Sequence, residues 1–162
     1  MQLIIDHRNN IDPNLIEQAK KESPRDGLRL DFDNPNTNNN YMHFLKSQLL
    51  AILEEQGKTL SFASFGQDKY FLPQASKIMG AVPQESVYFM YFFTPQTLRQ
   101  RGYGNALYKN IIQYLQVDTR YKHMIYNTTN IKNVTMYQNR GAESVLSQHN
   151  RHESIYYLRH KL

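Results

Sequence analysis

The sequence predicts a mixed α/β (α+β) fold in one domain spanning residues 1–162. Three observations carry this. Val87 to Thr94 is apolar on both faces, as expected of a strand inside a covered sheet. A glycine-bearing turn and a helix with Leu107, Ile111 and Leu115 on one face follow it directly. The remaining segments read in the order βααββ(β)αβαββ, whose kernel is strand–helix–strand–helix. The length of 162 residues suits one domain, since domains usually run to about 100–200 residues.

In chain order, Leu3 to Ile5 reads as a short strand. Asp12-Pro13 opens a helix, because Asp caps orphan N–H groups and Pro is tolerated at the first helical position. That helix runs to about Glu22 and breaks at Ser23-Pro24. Asp31 to Asn40 is biased toward Asn, Asp and Pro but is too short to link domains. Tyr41, Leu45, Leu49, Ile52 and Leu53 recur at spacings that predict a helix from about Thr37 to Gln56, ended by Gly57. Leu60, Phe62 and Phe65 predict a strand, turned at Gly66-Gln67-Asp68, with a return strand beginning at Tyr70 to Leu72. Pro73 to Pro83 fits no single pattern. After the central strand and its helix come a strand at His123 to Tyr126 and a short helix from Asn130 to Asn139, closed near Gly141. Ser144 to Leu146 and Ser154 to Leu158 read as two last strands joined by the polar segment Gln148 to His152.

Composition bounds the chemistry. Lys plus Arg is 19 and Asp plus Glu is 14, for a formal charge of +5, and 40% of residues are hydrophobic. That apolar fraction supports a core and argues against wholesale disorder. The mild positive balance favours anionic partners, but the basic residues are dispersed and no base-reading motif is visible, so nucleic acid is not indicated. There is no cysteine, which removes disulfides, thiolate metal sites and cysteine nucleophiles. His149 and His152 lie in a polar segment beside Arg151, a poor setting for a cation, and no metal is expected. The longest apolar run, Val87 to Phe93, is far short of the ~18 residues of a membrane span. No secretory signal is visible at the N-terminus, so the expected location is the cytoplasm.

The segment that carries chemistry is Arg99-Gln100-Arg101-Gly102-Tyr103-Gly104-Asn105. It follows the central strand and opens a helix, where unpaired backbone N–H groups and the helix dipole attract an anion. Gly102 and Gly104 are expected to let the backbone approach a bulky anion, and Arg99 and Arg101 to add full charges. Together they predict a phosphate or pyrophosphate pocket. The Walker pattern is absent, and the dinucleotide-fold spacing fails because Leu107 stands where a third glycine belongs.

Arg99-x-x-Gly102-x-Gly104 resembles the acyl-CoA signature [R/Q]-x-x-G-x-[G/A] of the GNAT acyltransferase superfamily. Asn130 followed seven residues on by Tyr137, then Gly141, is similar to a later segment of that family. The resemblance covers about Ser86 to Leu162 by motif and the N-terminal half by element order. Two departures stand out. Pro95 lies four residues before Arg99 where many members have three, and Ala142 replaces a common aromatic after Gly141.

The resemblance implies a GNAT-like central mixed, largely antiparallel sheet, splayed at the acyl-CoA site and flanked by about four helices. It implies acetyl-CoA as cosubstrate. The backbone of Tyr91, Phe92 and Phe93 would pair with the pantetheine arm, and Arg99, Gln100, Arg101, Gly102, Tyr103, Gly104 and Asn105 would hold the pyrophosphate. Asn130 would touch the pantetheine or bound water near the thioester, and Tyr137 would act as general acid toward the leaving thiolate. The implied reaction is acetyl transfer to a primary amine by direct attack in a ternary complex. The acceptor is left open among a small amine, a protein amine and an aminoacyl-tRNA. A CoA-binding sensor or interaction module without turnover is the alternative.

The residues themselves do not identify a base. The central strand holds no Glu, Asp or His; Glu85, just before it, is a candidate acting through water, and Glu54, Asp68 and His43 are no better marked. The acceptor pocket is expected from about Asn34 to Phe44 and Gln148 to Tyr156, in a monomer or a homodimer paired through the last strands.

Overall fold

The computed structural model describes residues 1–6, 13–22, 49–67, 71–149 and 154–162. They fall into two compact units. Met1–Gly66 with Tyr91–Gln113 form the first, and Gln67–Met90 with Tyr114–Leu162 the second.

The first unit opens with β1 (Gln2–Asp6) and α1 (Pro13–Glu22), which starts at the expected proline. β2 (Leu49–Glu55) and β3 (Lys58–Gly66) follow. β2 lies between β1 and β3 and is antiparallel to both, with Ile4 opposite Ile52 and Ala51 opposite Ala63. This corrects the helix expected over 37–56, of which residues 37–48 lie outside the described residues. The reason is burial. Leu50, Ala51, Ile52 and Leu53 are all buried, so the strand carries an unbroken apolar run. Such a run also satisfies helical spacings of three and four. The residue read as a helix stop, Gly57, is instead the second residue of a two-residue hairpin turn. Gln56 and Gly57 have φ of 51° and 75°, the left-handed pair that matches strand twist.

The end of the central strand, β4 (Ser86–Phe93), belongs to this unit from Tyr91 onward. Tyr91 and Phe93 point to the same side, as alternate strand residues must, and their rings lie 5.8 Å and 5.6 Å from that of Phe62. Leu107, Tyr108 and Ile111 of α3 (Tyr103–Val117) are buried, as are Leu15 and Ala19 of α1.

The second unit begins with α2 (Phe71–Met79). A return strand at 70–72 was expected; Tyr70 lies outside the described residues and Phe71-Leu72 open the helix. Pro73 is compatible because N–H groups in a first turn have no intrahelical acceptor. The stripe Leu72, Ala75, Ser76 and Met79 is buried. A short turn at Pro83–Glu85 leads into β4. The parallel ladder joins Ser86–Tyr88 to His123–Ile125 at the start of β5 (His123–Thr128). α4 (Ile131–Gln138) and the hairpin β6 (Glu143–His149) and β7 (Ser154–Lys161) complete the unit. β7 is antiparallel to β5 on one side and to β6 on the other.

Because β4 belongs to both units, the strand order reads β1-β2-β3-β4-β5-β7-β6. The sheet is mixed and mostly antiparallel, with four α-helices among the described residues. The element order βαββαβαβαββ differs from the expected one only between Gly57 and Pro83 and in the replaced second helix.

Candidate active site

At the end of β4 the chain passes through a 3-10 turn, Gln96–Leu98, and reaches α3 within a few residues. Gln100 and Gly102 both take left-handed backbone, with φ of 63° and 84°. The Gly102 carbonyl accepts the first helical bond, from the Ala106 amide at 2.9 Å, so Gly102 is the cap of α3. A glycine cap brings no side-chain oxygen to the helix start. Helix geometry leaves the amides of Tyr103, Gly104 and Asn105 without an intrahelical acceptor, at the positive end of the dipole. This donor set suits an anionic diphosphate.

The two glycines do different work. A Cβ on Gly102 would meet nothing within 4 Å, so its requirement is the left-handed backbone. A Cβ on Gly104 would lie 3.0 Å from Cζ of Phe92 and 3.1 Å from Oγ1 of Thr94. The bare Cα of Gly104, expected to open room for the anion, also admits the helix start close against β4. Phe92 is oriented for this by alternation, opposite in sense to Tyr91 and Phe93.

The Arg99 side chain is engaged by protein. Its Nε donates to the Thr94 carbonyl at 2.9 Å and its Nη2 to Oε2 of Glu22 at 2.8 Å. Arg101, Gln100 and Asn105 are exposed, and Tyr103 is half-buried. Glu22 escaped sequence reasoning. It is 77 positions from Arg99, and nothing local marks the last residue of an amphipathic helix as a partner of a distant turn. Ser61 was missed for the same reason: its hydroxyl donates to the Phe93 carbonyl at 2.8 Å and lies 2.9 Å from Oγ1 of Thr94.

In the second unit, Asn130 caps α4. Its Oδ1 accepts the Lys132 amide at 3.0 Å, and its own amide donates to Oγ1 of Thr128 at 3.1 Å. Oγ1 of Thr128 also accepts from Nδ2 of Asn133 at 3.3 Å. Tyr137 is 8% exposed. Its ring lies 4.5 Å from that of Tyr126 and meets Phe89 edge-on at 6.4 Å, with the Arg140 guanidinium 5.8 Å from its centre. Gly141 (φ 95°) closes the helix, and a Cβ there would lie 3.2 Å from the His160 ring. Ala142, in place of the aromatic, is buried.

Glu85 stands apart from Asn130. Its carboxylate pairs with Nζ of Lys122 at 2.7 Å, and its carbonyl accepts the Lys122 amide at 2.7 Å. The parallel register places it beside the start of β5, whereas Asn130 follows the end of that strand. A six-residue strand spans about 20 Å. Glu54 is a half-buried residue of β2; Asp68 and His43 lie outside the described residues, as does the Asn34–Phe44 segment expected to bind the acceptor. His149 Nδ1 lies 2.7 Å from the Ser154 hydroxyl. Burial is the largest influence on His123, followed by Arg159, and both hold its imidazole below the usual histidine range; burial does the same for His160. Among the described residues no cluster of three or more His, Asp or Glu is placed to hold a metal. No helix among them is long and apolar enough to cross a membrane.

No family model matches the sequence, and no curated protein matches it. Solved structures do. An acetyltransferase from Bacillus subtilis in complex with CoA has 12% identity and a TM-score of 0.68 over 99% of both chains. A GNAT family acetyltransferase from Elizabethkingia anophelis with acetyl-CoA bound has 13% identity and a TM-score of 0.64, over 99% of this chain and 98% of that one. The ribosomal-protein-S18-alanine N-acetyltransferase of Escherichia coli has 12% identity and a TM-score of 0.61, over 99% of this chain and 94% of that one. The chain has the fold of these GNAT acetyltransferases.

Proposed function

We propose that this protein is an acyl-CoA-dependent N-acetyltransferase that moves an acetyl group from acetyl-CoA to a primary amine. The observation that carries the proposal is the glycine-capped start of α3. It directs the amides of Tyr103, Gly104 and Asn105, with no competing cap side chain, just past the central strand. The shared fold with proteins that bind CoA or acetyl-CoA supports the same reading.

In this reading the 103–105 amides and Arg101 hold the diphosphate, and the backbone of Tyr91–Phe93 lies along the pantetheine arm as an added strand. The parallel ladder of β4 covers Ser86–Tyr88 only, before the Tyr91–Phe93 backbone that this reading gives to the cofactor. Acetyl-CoA supplies the activated acyl group. The chain must then accommodate a neutral amine, stabilise charge developing on the carbonyl oxygen and protonate the departing thiolate. A tyrosine hydroxyl has a reference pKa of about 10, against about 8.5 for a cysteine-like thiol, and Tyr137 takes the role of proton donor. Its ring neighbours Tyr126 and Phe89 hold it in place. The side-chain nitrogen of Asn130 is the group on its cap offered to the pantetheine, since its oxygen serves the helix. Glu85, paired with Nζ of Lys122, is the candidate that takes the amine proton through water, with direct loss to solvent as the other route.

The test is a thermal-shift titration with acetyl-CoA, followed by release of free thiol in the presence of candidate amines. Ligand at 100 times its Kd stabilises by about 2.7 kcal/mol, which a melt reveals. Absence of any shift overturns the assignment. The salt dependence of acceptor binding then sorts the acceptor: a steep loss with added salt marks an RNA-linked amine, and indifference marks a small neutral one.

A further inference from the structure

We infer that Glu22 is the positioning residue of the diphosphate-binding turn and that Arg99 is its strut rather than a phosphate ligand; this rests on the function proposed above. The Glu22 carboxylate gathers donors from three places. Nε2 of Gln18, one helical turn earlier, donates to Oε1 at 2.8 Å. The Gln96 amide donates to Oε2 at 2.9 Å, with a longer contact to Oε1 at 3.3 Å. Nη2 of Arg99 donates to Oε2 at 2.8 Å. The side chain of Glu22 is only 16% exposed, against 48% for Arg99, so the pair is set into the protein on the acid's side. Charge-assisted bonds of this kind are roughly twice as strong as neutral ones.

The far side of the turn is held as firmly. Nε of Arg99 grips the Thr94 carbonyl, the Thr94 hydroxyl meets Ser61, and Ser61 also donates to the Phe93 carbonyl. Residues 94–99 are therefore clamped between the C-terminal end of α1 and β3. Directly after the clamp comes Gln100, in left-handed backbone that a residue with a Cβ keeps only where its surroundings over-determine it. Two residues later Gly102 caps α3. The direction of the 103–105 amides is thus set by where residues 96 and 99 are pinned, and both are pinned by Glu22. The ion pair also neutralises Arg99. Arg101, which makes no ion pair with any described residue, is left as the cation for the diphosphate.

The experiment is calorimetric titration of the full chain with CoA and with an acetylated pantetheine that lacks the diphosphate. It uses the wild type, Glu22→Gln, Arg99→Gln, their double variant, and Arg99→Lys. A strut predicts that Glu22→Gln and Arg99→Gln each raise the Kd for CoA about tenfold. The double variant then loses no more than either single change, because the two act as one unit. Arg99→Lys keeps the charge but loses the forked grip, so it weakens CoA as much as Arg99→Gln. None of them alters binding of the pantetheine compound. Arg99 as a phosphate ligand predicts the opposite for the acid: Glu22→Gln removes a competing anion and tightens CoA or leaves it unchanged, and Arg99→Lys retains most of the affinity. Either of those results overturns the inference, as does an equal loss of the pantetheine compound, which would mark general destabilisation. A wild-type protein that does not bind CoA overturns the proposed function itself, a result separable from wild-type binding that the variants leave intact. Should Glu22→Gln not fold, Arg99→Lys alone decides between ligand and strut.

Discussion

Two segments carry the likeness to acyl-CoA enzymes, and they are built on different principles. Under the proposed function the 99–105 turn acts through backbone amides, and its side chains serve to aim them. Gly102 supplies a left-handed cap, Gly104 a close seat against Phe92 and Thr94, and Arg99 a tie to Glu22. Under the same proposal the 130–137 segment acts through side chains, and those side chains already have structural duties. Asn130 caps α4, and Tyr137 sits in a ring cluster with Tyr126 and Phe89. The first segment needs conformation at Gly102 and tolerates no bulk at Gly104. Under the proposed function the second needs particular atoms, so a change that keeps the packing but removes the Tyr137 hydroxyl removes the chemistry while leaving the fold.

The sharpest way to break this contrast is Tyr137→Phe. The ring contacts survive and only the hydroxyl goes, so stability stays within about 1.5 kcal/mol of wild type, the worth of one hydrogen bond. If the hydroxyl delivers the proton to the thiolate, turnover falls by at least about a hundredfold while the Kd for CoA is unchanged. Turnover equal to wild type would strip Tyr137 of any role beyond packing. A protein that turns over no amine before or after the change, yet binds CoA, would be a sensor.

Gly104→Val probes the first segment with the opposite expectation. Its Cβ would stand 3.0 Å from the Phe92 ring, and two further methyl groups add to the overlap. Overpacking of this size costs about 1–3 kcal/mol, and the helix start must shift to relieve it. Both the melting temperature and CoA affinity should fall. Gly102→Ala is the matched control, since its Cβ meets open space and only backbone strain of about 1–2 kcal/mol opposes it. Equal packing tolerance at the two positions, measured by melts of Ala, Ser and Val series, would erase the distinction drawn between the glycines.

The same contrast explains what could be read from the sequence. The strand, turn and helix at 86–117 were legible because each signal is local: a doubly apolar run, two glycines and a stripe at Leu107, Ile111 and Leu115. β3 was marked by Leu60, Phe62 and Phe65, but β2 was not legible, because burial on both faces removes the alternation that separates strand from helix, and Gln56 gives no sign that it will adopt φ of 51°. α2 was hidden by Pro73, although the spacing of Leu72, Ala75, Ser76 and Met79 carries its stripe. Glu22 and Ser61 were illegible for a stronger reason. Their roles exist only once the fold brings α1 and β3 to the end of β4, across 74 positions between Glu22 and Gln96 and 33 between Ser61 and Thr94.

Asn130 offers the smallest and finest test, because its two side-chain atoms have separable duties. Oδ1 holds the Lys132 amide, and loss of such a cap costs about 1 kcal/mol. For a chain of this length that lowers the melting temperature by about 2–4 °C. Asn130→Ala should show this loss, and Asn130→Ser should recover most of it, since a serine hydroxyl also caps well. Nδ2 has no counterpart in either variant. If that nitrogen donates to the pantetheine arm, both variants weaken CoA equally although only one is destabilised. CoA affinity that instead follows the melting temperature, restored by Ser and lost with Ala, would make Asn130 a helix cap and nothing more. The second segment would then contribute Tyr137 alone to the chemistry.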